Sequence, residues 1–240
     1  MIQTERVPTG IEGLDQTIEG GLPKGRSILV TGEPGTGKTI FALQFLFEGL
    51  KRGEKCMYVT ADEAPMDVLE QAASLGWDLE RYADTKELSI LNAGTYLSAL
   101  PGAGKERHVD VQKAVSDLAA FVNQIGVQRL VLDPAGPFVM LRDSAVRIQD
   151  QTRMLIKMMR SSMKTTNVLT SYAVPRTGER SMHGIEEYLV AGAIVLEMFW
   201  KDGQLVRGLI VEKMRCTNVK PTQLEFDIQK GQGIVIQPAL

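Results

Sequence analysis

Short apolar stretches alternate with amphipathic stretches along the chain up to about residue 198. Several of the apolar stretches are continuously hydrophobic, as in strands that are buried on both faces of a parallel sheet. The predicted strands lie at 26–32, 54–61, 87–92, 128–134, 166–173 and 192–198. The predicted helices lie between them at 38–51, 65–75, 108–125 and 144–165. This alternation predicts a parallel sheet with right-handed crossovers.

The longest predicted helix, 144–165, carries one apolar stripe at three- and four-residue spacing. The members of the stripe are Ala145, Ile148, Thr152, Leu155, Ile156, Met159 and Met163. Methionine fills irregular gaps in cores and also occurs on adaptable binding surfaces. We interpret the stripe as core filling, with a binding surface as the alternative.

The pattern changes after residue 192, where strands follow one another without helices. These strands are predicted at 192–198, 204–213, 223–228 and 233–237. Asp202 and Gly203, at the centre of "WKDGQL", predict a tight hairpin between the first two. We therefore expect an α/β fold in which a mostly parallel central sheet is flanked by helices and extended by antiparallel C-terminal strands. The expected organisation is a single domain, 1–240.

The composition is that of a globular protein, with 44% apolar and 23% charged residues. The formal net charge of −2 gives no overall basic character, so any nucleic-acid contact must come from a local patch. Cys56 and Cys216 are too few for a disulfide framework or a zinc site, and we expect two reduced thiols. No apolar run reaches the roughly 18 residues of a membrane span. The first residues also lack an apolar signal segment, so we expect a cytoplasmic protein without membrane contact.

The segment "TGEPGTGKT" follows the strand 26–32 and opens a helix at Lys38, and it contains the pattern G-x-x-x-x-G-K-T. Its glycines let backbone N–H groups curl around a phosphate, and the following helix presents its positive N-terminus to the anion. Lys38 is expected to bridge the β- and γ-phosphates, and the Thr39 hydroxyl to bind Mg²⁺. The predicted nucleotide-binding residues are Gly32, Glu33, Pro34, Gly35, Thr36, Gly37, Lys38, Thr39 and Ile40.

Carboxylates stand at the ends of two other predicted strands. Asp133 closes "RLVLDP", the usual position of a second acid that supports the magnesium ion; the alternative is an aspartate that caps the turn before Pro134. Asp62 and Glu63 follow the strand 54–61, where a carboxylate can orient or deprotonate the attacking water. Taken alone, such an acidic pair before a helix is more often an N-terminal cap.

Taken together, these segments resemble the KaiC-like single-domain ATPases of the RecA superfamily, including archaeal RadA paralogues. The resemblance covers most of the chain. It rests on "RVPTGIEGLDQTIEGGLPKGRSILVTGEPGTGKTIFALQFL", "YVTADEAP", "GIEEYLV" and "VEKMRCTNVKP". It implies a RecA-like P-loop fold, binding of ATP and Mg²⁺, and ATP hydrolysis between neighbouring subunits of a homo-oligomer, either a hexameric ring or a filament.

The sequence departs from the family pattern at three positions. Asp62 stands where the family usually has the water-activating glutamate, and its shorter side chain predicts slow hydrolysis. Tyr172 stands where RecA-like proteins often carry an amide or acid that senses the γ-phosphate. Ala191 replaces an aspartate of many relatives, and nothing in the sequence explains that change.

The resemblance gives "KMR" a role late in the chain. It implies that Lys213 and Arg215 reach the γ-phosphate held by the adjacent subunit. Strand periodicity agrees, because residues two apart in a strand share a face, with Met214 and Cys216 on the other. Two cations on one face would stabilise the charge of the transition state. The residues alone, without the resemblance, favour a solvated strand face.

The biological process is open to three interpretations. The first is an accessory (mediator) ATPase of DNA recombination and repair, which binds single-stranded DNA and assists a RecA- or RadA-type recombinase. It rests on basic residues between 142 and 180, where the loops 134–145 and 173–184 would face a central pore. The residues are Arg142, Arg147, Arg153, Lys157, Arg160, Lys164, Arg176 and Arg180, of which Arg142, Arg147, Arg176 and Arg180 are the candidate DNA contacts. The alternative is that half of them solvate the helix 144–165.

The second interpretation is a KaiC-type signalling ATPase or autokinase, for which Thr217 and Thr222 lie near the proposed γ-phosphate contacts. The third is a nucleotide-dependent scaffold that assembles on ATP without significant turnover, which the changes at Asp62 and Tyr172 favour.

Overall fold

The computed structural model describes residues 4–94, 111–136, 145–172, 189–220 and 222–237, with the backbone alone at 111, 145–148 and 172. The strands are β1 Arg6–Val7, β2 Leu22–Pro23, β3 Ser27–Gly32, β4 Cys56–Thr60, β5 Leu88–Asn92, β6 Arg129–Asp133, β7 Thr166–Tyr172, β8 Gly192–Lys201, β9 Gln204–Met214, β10 Gln223–Gln229 and β11 Gly233–Ile236. The helices are α1 Glu12–Thr17, α2 Lys38–Lys51, α3 Pro65–Ser74, α4 Glu80–Asp84, α5 Val111–Ile125 and α6 Ala145–Ser162.

Nine of the described strands form one sheet in the order β11-β10-β9-β8-β3-β7-β6-β4-β5. The six strands from β8 to β5 in that order are parallel, and β9, β10 and β11 continue the sheet in antiparallel pairing. The predicted α/β fold with an antiparallel C-terminal extension is therefore confirmed. β7 lies between β3 and β6, so the strand that ends at Asp133 is not a direct neighbour of the strand that leads into the phosphate loop.

The central strand β3 is buried on both faces, which explains its continuous apolar sequence. Ile28 and Val30 pack on one face with α2, including Phe41. Leu29 packs on the other face with α5 and α6, including Met159. Because strand residues alternate between faces, a strand covered by helices on both sides carries no polar alternation.

The apolar stripe of α6 is largely buried where its side chains are described, and Ile156 is half-buried against the same core. Thr152, Leu155, Met159 and Met163 are at most 2% exposed, which confirms core filling. The helix ends at Ser162 rather than at the predicted residue 165, because the chain enters β7 at Thr166. Residues 108–110 and 144 of the predicted helices lie outside the described residues.

The β8–β9 hairpin has the predicted two-residue turn. Lys201 pairs with Gln204, and Asp202 and Gly203 both have positive φ, 49° and 77°. Those dihedrals are typical of the type I′ turn that matches the twist of an antiparallel pair.

The segment "TGIEGLD", residues 9–15, is closed by hydrogen bonds to the Asp15 side chain. The Asp15 carboxylate accepts hydrogen bonds from the Thr9 backbone N–H at 2.9 Å, the Thr9 hydroxyl at 2.8 Å and the Gly10 N–H at 3.2 Å. Burial raises the pKa of Asp15, and the hydrogen bonds from Thr9 act in the opposite direction. Gln44 of α2 then donates to the Gly10 carbonyl at 2.8 Å and accepts from the Ile234 N–H at 2.7 Å. Both ends of the described chain are thus held to the helix that follows the phosphate loop.

Candidate functional site

The phosphate loop connects the end of β3 to the first turn of α2. Gly35 and Gly37 have φ of +82° and +107°, which other L-residues rarely adopt. A Cβ on Gly32 would lie 2.4 Å from the Leu196 carbonyl oxygen and 2.5 Å from the Thr36 hydroxyl. The loop is therefore a close-packed cradle that requires glycine at three positions, and the N-terminus of α2 points into it.

Lys38 folds back over this cradle. Its ammonium donates to the Gly32 carbonyl at 2.7 Å and to the Glu33 carbonyl at 2.9 Å. Burial lowers the pKa of Lys38, and the charges of Asp133 and Glu33 partly oppose that shift. The ammonium thus lies where the oxygens of a bound phosphate could replace the loop carbonyls as its partners.

Asp133 lies at the end of β6, within electrostatic reach of Lys38. Its carboxylate accepts hydrogen bonds from the hydroxyls of Tyr58 on β4 and Thr170 on β7. Two neighbouring strands therefore fix both carboxylate oxygens.

Tyr58 lies in β4 and was not singled out by the sequence. Its ring is 1% exposed, and its hydroxyl meets both the Asp133 carboxylate and the Thr39 side chain. Burial raises the pKa of Tyr58 well above its usual value, and the Asp133 charge raises it further. The neutral Tyr58 hydroxyl therefore links Thr39 and Asp133, the two residues that the sequence predicts to bind Mg²⁺.

The donor set at this edge fits a magnesium ion with phosphate ligands. Mg²⁺ prefers oxygen ligands and keeps several waters, so one or two protein oxygens beside a phosphate suffice. The Thr39 hydroxyl and the Asp133 carboxylate offer those oxygens, and Tyr58 joins them.

Asp62 and Glu63 follow β4, and the structure gives them different surroundings. The Glu63 carboxylate accepts a hydrogen bond from the Gln71 side chain at 2.8 Å, and its backbone N–H donates to the Thr60 hydroxyl at 2.9 Å. The Asp62 side chain is exposed. The next helix has its own cap, because Asp67 accepts from the N–H of Ala64 at 3.1 Å. The acidic pair is therefore not needed to cap α3.

Lys213 and Arg215 lie at the opposite edge of the sheet from the phosphate loop. Gly32 faces Leu196 on β8, and Leu196 faces Leu209 on β9. Arg215 is six residues further along the antiparallel strand direction, so it lies roughly 15–20 Å from the loop at about 3.3 Å per residue. Its backbone N–H donates to the Ala191 carbonyl at 2.8 Å, beside the start of β3.

The strand-face prediction for this pair is correct only in part. β9 ends at Met214, so Arg215 belongs to the following turn and Cys216 has a φ of +59°. A bulge between β8 and β9 places Lys213 opposite Ala193 and leaves Glu212 as the extra residue. Because of this bulge Met214 is buried and Lys213 is half-buried. A prediction from strict strand alternation could not reveal the extra residue of this bulge.

The turn after β9 is held in place by the N-terminal strand. Arg6 donates to the Thr217 hydroxyl and to the Cys216 carbonyl, both at 2.6 Å. Glu19 pairs with Arg6 and accepts from the Asn218 N–H at 3.2 Å. Lys213 donates its ammonium to the Val190 carbonyl at 2.8 Å. The cationic edge is therefore anchored before any partner binds.

Comparison with known proteins decides the family. The family model described as "ATPase: KaiC" matches residues 7–240. A UPF0273 protein of Aeropyrum pernix is 34% identical over 241 residues, covering 98% of this chain and 94% of that protein. The crystal structure of a KaiC-like protein from Pyrococcus horikoshii superposes with a TM-score of 0.81 at 32% identity, over 98% of this chain and 100% of that one.

The chain belongs to the KaiC ATPase family. The resemblance of its motifs to KaiC-like proteins of the RecA superfamily is thereby confirmed. A circadian clock oscillator protein KaiC of Prochlorococcus marinus is 31% identical over 98% of this chain, but over only 45% of its own length. The chain thus spans about half of that clock protein.

Most of the candidate DNA contacts lie outside the residues that the structure describes. Arg142, Arg176 and Arg180 lie outside the described residues, and Arg147 lies in α6 without a described side chain. Most of the loops 134–145 and 173–184, and the side chain of Tyr172, are likewise not described. On the described part of α6, Arg153, Lys157 and Arg160 are exposed at helical spacing. This KaiC-family chain has, within its described residues, no helix long and apolar enough to cross a membrane.

Proposed function

We propose that the protein binds ATP with Mg²⁺ and hydrolyses it slowly at an interface between two copies of itself. The observation that carries this proposal is the separation of two half-sites. The phosphate loop lies at the carboxyl edge of β3, and Lys213 and Arg215 lie at its amino edge. One nucleotide therefore contacts both half-sites only if they belong to different subunits.

Within one subunit, the phosphate loop and Lys38 bind the β- and γ-phosphates. Thr39 and Asp133 would hold Mg²⁺, with Tyr58 orienting both. When bound, the ion neutralises charge that builds up between the β- and γ-phosphates.

Asp62 or Glu63 orients the attacking water and accepts its proton. Water oxygen then bonds to the γ-phosphorus as the bond to the β–γ bridging oxygen breaks, which gives ADP and inorganic phosphate. The neighbour's Lys213 and Arg215 stabilise the charge on the transferred phosphoryl group. The exposed position and short side chain of Asp62 are the reason to expect slow turnover.

This arrangement implies a homo-oligomer, either a hexameric ring or a filament. In both, the amino edge of one copy meets the carboxyl edge of the next in a heterologous contact. The expected location stays the cytoplasm.

For the process, our first proposal remains a mediator of DNA recombination and repair that binds single-stranded DNA and assists a RecA- or RadA-type recombinase. The exposed basic face of α6, formed by Arg153, Lys157 and Arg160, supports it. A KaiC-type signalling ATPase or autokinase is the second candidate. It is supported by the alignment of 98% of this chain with 45% of the length of the clock oscillator protein KaiC.

One experiment tests the interface and separates the processes. ATP turnover per subunit is measured over a range of protein concentrations, with oligomer mass recorded by light scattering. We expect turnover per subunit to rise together with oligomer mass. Constant turnover per subunit in a monomer would contradict a shared site.

The same assay is repeated with single-stranded DNA at low and moderate salt. Stimulation that salt removes supports the mediator, because phosphate contacts release counterions. No response to DNA, with phosphate retained covalently on the chain, supports the autokinase. ATP-driven assembly without turnover supports the scaffold.

A further inference from the structure

One face of the β8–β9 hairpin stays apolar beyond the end of β3. Gly32, the last residue of β3, faces Leu196, and β8 continues past that pair toward the hairpin turn. Leu196 is 1% exposed, whereas Met198 and Trp200, further along the same face, are 37% and 74% exposed. Leu205, which pairs with Trp200, is 54% exposed. The hairpin therefore carries large apolar side chains out of the core at the carboxyl edge of the sheet.

This exposed face borders the phosphate loop. A Cβ on Gly35 would lie 3.4 Å from Met198 Cε, and a Cβ on Gly37 would lie 3.4 Å from Ile228 Cδ1 on β10. The loop thus lies against β8 on one side of β9 and against β10 on the other. We call Met198, Trp200, Leu205 and Ile228 the apolar platform.

Arg207 is the one charged side chain among the described residues of this face beyond Leu196. It lies on β9, between its pairing partners Met198 and Phe226. Its Nε is buried and has no hydrogen-bond partner among the described residues. Because a buried donor without an acceptor costs free energy, an acceptor that a ligand brings to this guanidinium would bind favourably.

The opposite face of the same strands carries polar pairs within the subunit. Lys201 pairs with Glu225 at 2.6 Å, and the Gln223 side chain donates to the Glu197 carboxylate at 2.5 Å. The contrast between the two faces indicates that the platform, with its exposed Trp200, is the face suited to a ligand.

The two flanks of the phosphate loop differ in the part of a nucleotide that they suit. Toward β7 and β6 lie Lys38, Asp133 and Tyr58, a polar group that fits phosphate and metal. Toward β8 and β9 lies the apolar platform with Arg207. A nucleobase has a flat apolar face and polar edges, which matches an aromatic ring beside a donor.

We propose that the platform holds the base of the nucleotide whose phosphates bind the phosphate loop. Trp200 stacks on the base, and Arg207 donates hydrogen bonds to its acceptor atoms. The sugar ties the base to the phosphates, so the base must lie beside the loop, and the platform is its apolar flank. The inference rests on the proposed function, because base and phosphates belong to one bound ATP.

The test separates binding of the base from binding of the phosphates. The affinities for MgATP and for inorganic triphosphate with Mg²⁺ are measured by calorimetry on dilute, unassembled wild type, Trp200→Ala and Arg207→Gln. Each variant should bind MgATP about tenfold more weakly and triphosphate within about twofold of wild type, because only contacts to the base are lost. Retained triphosphate binding also shows that the variants are folded. Equal losses for both ligands, or no loss for either, overturn the inference.

Two substitutions on the opposite face of the hairpin serve as matched controls. Phe199→Ala removes a ring from β8, and Lys201→Gln removes a cation next to the turn. Both should bind MgATP like wild type. If they lose as much affinity as Trp200→Ala, the effect comes from the structure of the hairpin and the inference is wrong. Failure of wild type to bind either ligand would instead overturn the proposed function.

Trp200 also gives a direct readout, because the second of the two tryptophans, Trp77, is only 2% exposed. Quenching of the emission by acrylamide therefore reports mainly on Trp200. In unassembled protein, MgATP should reduce this quenching and triphosphate should not. Protection that follows oligomer mass equally with both ligands would mean that a second copy covers the platform. Protection by a short single-stranded oligonucleotide but not by MgATP would mean a nucleic-acid site, and either result overturns the inference.

Discussion

The two edges of the central sheet carry opposite kinds of site. At the carboxyl edge, Lys38 lies near the Asp133 carboxylate, and hydroxyls from Tyr58 and Thr170 complete a polar, internally bonded group. At the amino edge, Arg26, Arg160 and Arg215 line a pocket together with apolar residues. In the proposed function, the first edge holds phosphate and metal, and the second supplies cations to the neighbouring subunit.

This difference arises from the antiparallel extension of the sheet. β8 is parallel to β3, and β9 returns along it, so that the end of β9 comes to the amino edge. A residue placed there cannot reach the phosphate loop of its own subunit. In the proposed assembly, each subunit therefore contributes half of two sites, and the shared nucleotide would favour assembly independently of any apolar interface.

The largest effect is expected from two variants, each of which removes the proposed nucleotide contact at one of the two edges. Lys38→Ala should abolish nucleotide binding in its own loop, and Arg215→Ala should bind ATP almost normally. Each variant alone should lose turnover by about a hundredfold or more. An equal mixture should recover about a quarter of wild-type turnover, because that fraction of interfaces joins an intact loop to an intact arginine.

The control for this mixture is the variant that carries both substitutions. Mixed with Lys38→Ala, it offers no intact loop and should restore nothing. Wild-type turnover in Arg215→Ala alone, or nucleotide binding of wild-type strength in Lys38→Ala, would show that the corresponding edge has been assigned wrongly.

A smaller effect is expected from Tyr58→Phe, which alters the carboxyl edge without removing a charge. Asp133 keeps its hydrogen bond from Thr170 and loses the one from Tyr58. Since partners of metal ligands tune metal affinity, the Mg²⁺ concentration for half-maximal nucleotide binding should rise about tenfold. Titration with a fluorescent nucleotide measures this. Tyr82→Phe is the control, since its hydroxyl contacts Arg81 instead. If both variants need the same Mg²⁺ concentration for half-maximal nucleotide binding, Tyr58 does not contribute to Mg²⁺ binding.

The smallest effect concerns the water-orienting acid. Asp62→Glu restores the missing methylene, so turnover by the assembled protein should rise roughly threefold while ATP affinity stays unchanged. The measurement is steady-state phosphate release, with Asp62→Asn as the matched loss of charge. If Asp62→Glu and Asp62→Asn both resemble wild type while Glu63→Gln is slow, then Glu63, which Gln71 holds in place, is the acid.

Local patterns predicted the parts of this protein whose structure depends on neighbours in the chain. The phosphate loop, the helix beginning at Lys38 and the Asp202–Gly203 turn were all predicted at the right residues. Their conformations follow from glycine dihedrals and helix capping, which act within a few residues. The single domain, 1–240, and the individual roles of the site residues stay predictions.

Contacts between distant residues were not visible in the sequence. Arg129 stands within an apolar strand and is completely buried, where it pairs with Glu54 and donates to the Phe45 carbonyl at 2.8 Å. The contact of Tyr58 with Asp133 depends on the pairing of β4 with β6. Nothing in a single sequence says which partner satisfies a buried polar group, because that partner is set by strand order.

By itself, the sequence predicted the glycine-rich loop before α2, the alternation of strands and helices, and the antiparallel strands after residue 192. The tertiary structure decided which side chains share an edge. It joined Tyr58 to Asp133, shifted Lys213 through a bulge, and collected three arginines around one pocket. The physical reason is that backbone preferences act locally, whereas the meeting of charges depends on strand order, register and the direction in which each strand crosses the sheet.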